Sequence, residues 1–299
     1  MIRWLGSPYD FWHECKYLLL ALLRQDGVYV PITPNSDYNR LLSETDMRGR
    51  NRSLMDTSRG KVAIVTGAGG GIGAGIAQKL ARDGYVVACV DRNYEAALGV
   101  AMEIPGAVAY KVDVAKEIEV INLRTELLNS VGAPTLLVNA AGVFFEHDVV
   151  TLSEESFDQI IDVNLKGTFF MCKVFIPDFL QAGKGNIINI SSTAGLHSGT
   201  NRAIYCASKA GVIMFTRSLA ADYGAKGIRA NCVCPGLIDT PMANWIKEDK
   251  AALQAWEKRI PAQRIGTAGD VADAVSFLAS DASSYIHGES MIVDGGGMA

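Results

Sequence analysis

Tyr205 and Lys209 stand four residues apart in the run IYCASKAG, and none of the other tyrosines among the ten has a lysine at that spacing. On a helix, this spacing puts a phenol and an ammonium side by side on one face. A phenol ordinarily titrates near pH 10 and is a poor proton carrier at neutrality. A cation beside it favours the phenolate and brings that value down. Each pH unit of lowering corresponds to about 1.4 kcal/mol, and a few such steps would make Tyr205 a competent general acid/base. The neighbours Ala207, Ser208, Ala210 and Gly211 are small, which lets a cofactor or another helix come close. Tyr–Lys pairs are also common on helix surfaces, so the rest of the chain must decide between the two readings.

A second chemical feature lies far upstream. TGAGGGIG (66–73) follows the apolar run VAIVTG and opens a helical pattern, with Gly67, Gly71 and Gly73 spaced as G-x3-G-x-G. Glycines there let the backbone turn tightly against a pyrophosphate, while the exposed N–H groups of the helix start bind its oxygens. A glycine cluster alone is weak; between a strand and a helix it is strong. Asp91 ends the next apolar run, VVACVD. A carboxylate at that point accepts hydrogen bonds from both ribose hydroxyls of an adenosine and repels a 2′-phosphate. This favours NAD over NADP, although the guanidinium of Arg92 could receive such a phosphate.

The elements that must position these residues alternate regularly from Lys61 onward. Strands are expected at 62–67, 86–91, 107–111, 135–138, 186–191, 228–234 and 290–293. Helical patterns fill the gaps, over 72–83, 116–131, 156–181, 203–224 and 268–280. Short β-branched runs alternating with amphipathic helices predict an α/β fold: a Rossmann-type doubly wound parallel sheet with helices on both faces, in a single domain. Ligands of such sheets bind beyond the carboxyl ends of the strands.

Taken together, these motifs resemble the short-chain dehydrogenase/reductase family in its compact single-domain branch. The resemblance covers residues 60 to about 297 and rests on TGAGGGIG, Asp113 in KVDV, NAAG (139–142), Asn164 in DVNLKG, Ser192 in NISS, YCASK (205–209) and CPGLIDTP (234–241), all in register. It implies a catalytic tetrad of Asn164, Ser192, Tyr205 and Lys209. Tyr205 would exchange a proton with the substrate oxygen, Ser192 would hold that oxygen, and Lys209 would lower the tyrosine pKa and bind the nicotinamide ribose. Asn164 would hold a water on the proton's path to solvent. The resemblance further implies cofactor contacts at Gly67, Gly71, Ile72 and Gly73 (pyrophosphate), Asp91 (ribose) and Asp113 with Val114 (adenine). Asn139, Ala140 and Gly142 would line the central cleft, and Pro235, Gly236, Ile238 and Thr240 the nicotinamide half. Asn139 could equally tie neighbouring strands together. Met242 to Arg259 would be the mobile flap over the substrate, and Phe144, Phe145, Leu196 and His197 would be pocket walls.

Hydride transfer between substrate carbon and nicotinamide needs no metal. The expected reaction is NAD-dependent oxidation of a secondary alcohol to a ketone, with that small molecule as partner. The alternatives are an NADPH-dependent 3-ketoacyl thioester reductase, which Asp91 disfavours, and a non-catalytic nucleotide-sensing module, which would not need Tyr205 with Lys209. A serine hydrolase is disfavoured because no GxSxG elbow exists. The resemblance also implies a homo-oligomer, a tetramer built through helices 156–181 and 203–224 and the C-terminal strand region.

Composition excludes other classes. The chain of 299 residues has a formal charge of −4 and no basic stripe for nucleic acid. Its six cysteines form no CxxC, and Cys232-x-Cys234 falls in an apolar run, so reduced buried thiols are expected. The four histidines are too scattered for metal ligation, and no metal site is expected. The apolar stretch YLLLALL (17–23) is too short to span a bilayer and lacks the layout of a secretory leader. A cytoplasmic protein is expected. Residues 1–57, with two tryptophans, one helical pattern at 11–24 and a polar run, read as an N-terminal extension of unknown role. It is either an over-reading upstream of Met55 or an arm that packs on a partner subunit. Residues 58–299 read as the dinucleotide-binding catalytic domain.

Overall fold

Among the described residues seven strands, all parallel, form one sheet in the order β3-β2-β1-β4-β5-β6-β7. The computed structural model describes residues 61–299, so the readings of the 1–57 extension and its helical pattern lie outside the described residues. The strands are β1 (Val62–Thr66), β2 (Val86–Asp91), β3 (Val108–Lys111), β4 (Leu136–Asn139), β5 (Gly185–Ile190), β6 (Ile228–Pro235) and β7 (Ser290–Val293). Each matches an expected strand to within a residue or two.

Between them run α1 (Gly71–Arg82), α2 (Tyr94–Met102), α3 (Glu117–Ser130), α4 (Glu154–Ile161), α5 (Gly167–Ala182) and α6 (Ala203–Tyr223). After β6 come α7 (Asn244–Lys247), α8 (Lys250–Arg259) and α9 (Ala268–Ala279). The alternation of side chains along β1 assigns the two faces. Val62 and Ile64 pack with Leu123 and Leu127 of α3, Phe175 and Phe179 of α5 and Leu219 of α6. Ala63 and Val65 pack with Ile76 and Leu80 of α1 and Val271 and Val275 of α9. Because β1 is covered on both sides, its residues are apolar without interruption, as a buried parallel strand requires. Lys79, which shares the helical spacing of Ile76 and Leu80, instead pairs with Asp83 at 2.9 Å on the α1 surface.

The chain reverses direction across the sheet at β1. β2 and β3 extend one way, and β4 then pairs on the other side of β1. The loops after β1 and β4 therefore flank a crevice at the switch point, where such sheets take their ligands.

The expected helix 156–181 has a finding inside it. Asp162–Lys166 is a π-helical turn joining α4 to α5, and Asn164 is buried at its centre. One extra residue in the turn redirects a side chain without ending the helix, a device frequent at functional sites. No helix among the described residues is long and apolar enough to cross a membrane.

Candidate active site

The glycine loop is shaped by two constraints. Gly67 has φ +66, and a Cβ there would lie 2.9 Å from the Cα of Ala141. A Cβ on Gly73 would meet the Gly67 carbonyl oxygen at 2.1 Å, so only glycine lets α1 start this close to β1. No side chain caps α1, and no acid occupies its first turn. Its N-terminal N–H groups and the positive end of its dipole are left for an anion. The residues therefore fit a dinucleotide pyrophosphate.

Asp91 is fixed at the end of β2 by two backbone donors. Gly69 N–H reaches Oδ2 at 3.0 Å and Asn93 N–H reaches Oδ1 at 2.9 Å. The carboxylate lines a cavity of about 130 Å³ together with Gly67, Arg92, Asp113, Val114 and Gly142. Asp113 also accepts from Ala115 N–H at 3.0 Å, while Val114 is buried against Gly167. Ala140 N–H is held by Thr66 Oγ1 at 3.0 Å. The Asn139 amide is buried and donates to Asn189 Oδ1 at 2.8 Å, tying β4 to β5. This is the strand-tying role left open from the sequence.

Ser192 follows β5, where its hydroxyl accepts from Ala194 N–H at 3.1 Å and lies 3.5 Å from the Pro235 carbonyl oxygen. The short 3-10 turn behind it, Thr193–Gly195, rests directly on α6. A Cβ on Gly195 would meet the carbonyl carbon of Lys209 at 2.8 Å. This contact brings Ser192 up to the α6 residues Tyr205 and Lys209.

Lys209 is buried, and its Nζ donates to the Ile190 carbonyl at 3.0 Å. Burial pushes its ammonium down to about 8, opposed by Cys232 and Cys234 of β6. The Asn164 amide is fully engaged. Its Oδ1 accepts from Val143 N–H at 2.8 Å, and its Nδ2 donates to Val143 O at 3.0 Å and Ser208 Oγ at 3.1 Å. Gly142 closes the group, since a Cβ there would lie 3.3 Å from Lys209 Nζ and 3.4 Å from Asn164 Oδ1.

Tyr205 differs from the simplest expectation. Burial raises its pKa above 10, partly opposed by the Ser192 hydroxyl and the Arg202 guanidinium. Lys209 Nζ lies 5.8 Å from the ring centroid. Burial disfavours the phenolate here, whereas the positive nicotinamide of a bound NAD would favour it.

Tyr205 and Ser192 open into a cavity of about 600 Å³, which Pro235, Gly236, Ile238, Thr240 and Ile72 also line. Thr240 sits beside Gly71, its Cβ 3.3 Å from where a Cβ of that glycine would be. Of the expected walls, Phe144 and His197 line this cavity, while Phe145 and the exposed Leu196 do not. The flap contributes Met242, Trp245 and Trp256, and Ile246 is buried beneath it. Phe144 meets Tyr205 edge to face at 5.0 Å and leans on Trp245 at 6.4 Å. Sequence reasoning missed Arg202, whose place one helical turn before Tyr205 was the available signal. It also missed Met298 and Ala299, which no local motif marks.

A family model described as enoyl-(acyl carrier protein) reductase matches residues 67–297. The chain is 39% identical over 243 residues to 2-(R)-hydroxypropyl-CoM dehydrogenase of Xanthobacter autotrophicus, covering 79% of this chain and 97% of that protein. It is 37% identical over 241 residues to a 3-oxoacyl-(acyl-carrier-protein) reductase of Chlamydia muridarum, covering 79% and 96%. Among solved structures, a gluconate 5-dehydrogenase from Burkholderia cenocepacia in complex with NADP and tartrate superposes with a TM-score of 0.76 at 32% identity, covering 80% of this chain and 95% of that one. With its switch-point crevice, its glycine loop and these relatives over most of its length, the chain belongs to the short-chain dehydrogenase/reductase family of nicotinamide-dependent oxidoreductases.

Proposed function

We propose that the protein oxidises a secondary alcohol to a ketone with NAD, and that Tyr205 is the general acid/base. The observation that carries this reading is the meeting of Ser192 and Tyr205 in one cavity, backed by Lys209 and Asn164 around Gly142. When bound, the nicotinamide supplies a two-electron acceptor at its C4 for the hydride of the carbinol carbon. The Tyr205 phenolate takes the hydroxyl proton as the carbonyl forms, and the Ser192 hydroxyl donates a hydrogen bond to the substrate oxygen. Lys209 Nζ and the Asn164 amide fix the back of the site. Phe144, Trp245 and the flap keep water from the reacting atoms.

The preference for NAD rests on Asp91, whose charge opposes a 2′-phosphate. A second reading, an NADP-linked reductase of a 3-oxoacyl thioester, is favoured by Arg92 in the same cavity as Asp91 and by the reductase relative. A cytoplasmic homo-oligomer belongs to the same proposal. Exposed Phe157, Phe169 and Met214 on α4, α5 and α6 supply the apolar surface for subunit contact.

The test is reduced-nicotinamide absorbance with NAD and NADP in parallel, across secondary alcohols, polyols, hydroxy acids and hydroxysteroids and their ketones. Turnover of one class with NAD supports the main reading; turnover of 3-oxoacyl thioesters with NADPH alone would replace it with the second.

A further inference from the structure

We propose that the substrate of this site carries a carboxylate or sulfonate group, and that Arg202 receives it. The inference deepens the alcohol–ketone reading and rests on it.

Arg202 is the N-cap residue of α6 and lines the cavity with Tyr205 and Ser192. Its guanidinium lies 5.7 Å from the ring centroid of Phe144 and 5.9 Å from that of Trp245. Two aromatic rings stabilise the cation without satisfying its hydrogen bonds. Of its five N–H groups, only Nε–H has a partner among the described residues, the Thr200 carbonyl at 3.3 Å. The two terminal nitrogens keep their fork free. The other half-buried arginines, Arg124 and Arg229, and the exposed Arg264 are arranged differently. Arg124 grips Asp178 with two hydrogen bonds, Arg264 grips Asp270 in the same way, and Arg229 donates to the carbonyls of Leu278, Ser280 and Ser283.

Among the described residues no aspartate or glutamate lines the cavity, and Arg202 is its one side chain of fixed charge; Ala299 also lines it, but its main-chain carboxylate is not paired with Arg202. A cation taken partly out of water without a counter-ion is costly. Here the arrangement holds one with its bidentate edge unengaged, in the cavity where the reacting hydroxyl must sit. A planar fork suits a two-oxygen anion. The spacing also limits the ligand. Phe144 lies 5.7 Å from the guanidinium and 5.0 Å from the Tyr205 ring, so one small ligand can span both groups across it. A short hydroxy acid or hydroxy sulfonate is of that size. Phe144, in contact with both Tyr205 and Arg202, walls the short apolar stretch between them.

The experiment compares matched probes on the full-length protein: 3-oxobutyrate against its methyl ester, and 2-oxopropane-1-sulfonate against the corresponding methyl sulfone. Binding is read by calorimetry in the presence of NAD, which leaves the ketones unreduced, and turnover by loss of reduced-nicotinamide absorbance with NADH. Wild type is expected to favour the anion of at least one pair by tenfold or more in affinity and in kcat/KM. Arg202→Met should reduce that preference to within threefold, mainly through KM, and Arg202→Lys should restore part of it. Anions that bind no better than their neutral isosteres, absence of binding included, would overturn the proposal, as would a preference that survives in Arg202→Met. Should Arg202→Met fail to fold, the wild-type comparison still decides. Arg202-dependent anion binding with no turnover of any probe would contradict the hydride-transfer reading and leave the Arg202 site standing.

Discussion

Lys209 Nζ lies 5.8 Å from the Tyr205 ring centroid yet gives its hydrogen bond to the carbonyl of Ile190, 3.0 Å away. The lysine is held by the end of β5 rather than by the phenol, in a place where burial brings its pKa to about 8. The unfolded chain would hold that proton to about 10.5. Between those values the unfolded state binds more protons than the folded one, so stability rises with pH across this window. Below pH 8 both states are protonated and the full cost of the buried charge is present. Urea midpoints from pH 7 to 10 should therefore increase for wild type relative to Lys209→Met. A constant gap between the two proteins would mean the lysine is not desolvated.

The glycine loop makes a contrast testable with one methyl group. Gly73→Ala places a Cβ 2.1 Å from a backbone oxygen, and should cost roughly 3 kcal/mol or more while weakening dinucleotide binding at least tenfold. Gly99 lies in α2 with nothing within 4 Å of its absent Cβ. Gly99→Ala should raise stability by about 0.5–1 kcal/mol, because alanine loses less backbone freedom in a helix. Thermal melts of both variants, with and without NADH, check the pair.

Asp91→Asn keeps the side chain's shape and removes its charge. The ratio of kcat/KM for NADP to that for NAD should rise by at least tenfold, since the repulsion of a 2′-phosphate is lost and Arg92 remains in the cavity. An unchanged ratio, measured with saturating substrate, would remove Asp91 from cofactor selection.

Much of the fold is legible in the sequence, because burial of a parallel sheet on both faces forces continuous apolar runs such as VAIVT and VVACV. The π turn at Asn164 is not legible. Its hydrogen bonds to Val143 and Ser208 join parts of the chain far apart in sequence, and helical periodicity hardly changes when one residue is inserted. Likewise, the spacing of Tyr205 and Lys209 reveals that they share a helix face. It does not reveal that Ile190 competes for the ammonium, nor that burial dominates the phenol. Asn139 illustrates the opposite case: from sequence it had two roles, and only its distance to Asn189 shows which atoms its amide engages.

The Asn164 amide satisfies both backbone groups of Val143 inside the structure. Asn164→Ala would leave those groups unpaired, at about 1–3 kcal/mol for each buried orphan. Denaturant unfolding should show a loss in the range of about 2–4 kcal/mol. A loss below about 0.5 kcal/mol, no more than an ordinary surface substitution, would mean that the π turn does not depend on this side chain.

Tyr205 is proposed to carry the proton. That role is tested most directly by single-turnover hydride transfer in wild type and Tyr205→Phe, with whichever alcohol the panel identifies and with cofactor affinity measured on the same samples. The transfer rate should fall by at least 10³-fold with NADH affinity within about threefold of wild type. A variant that still transfers hydride within tenfold of the wild-type rate would contradict that role.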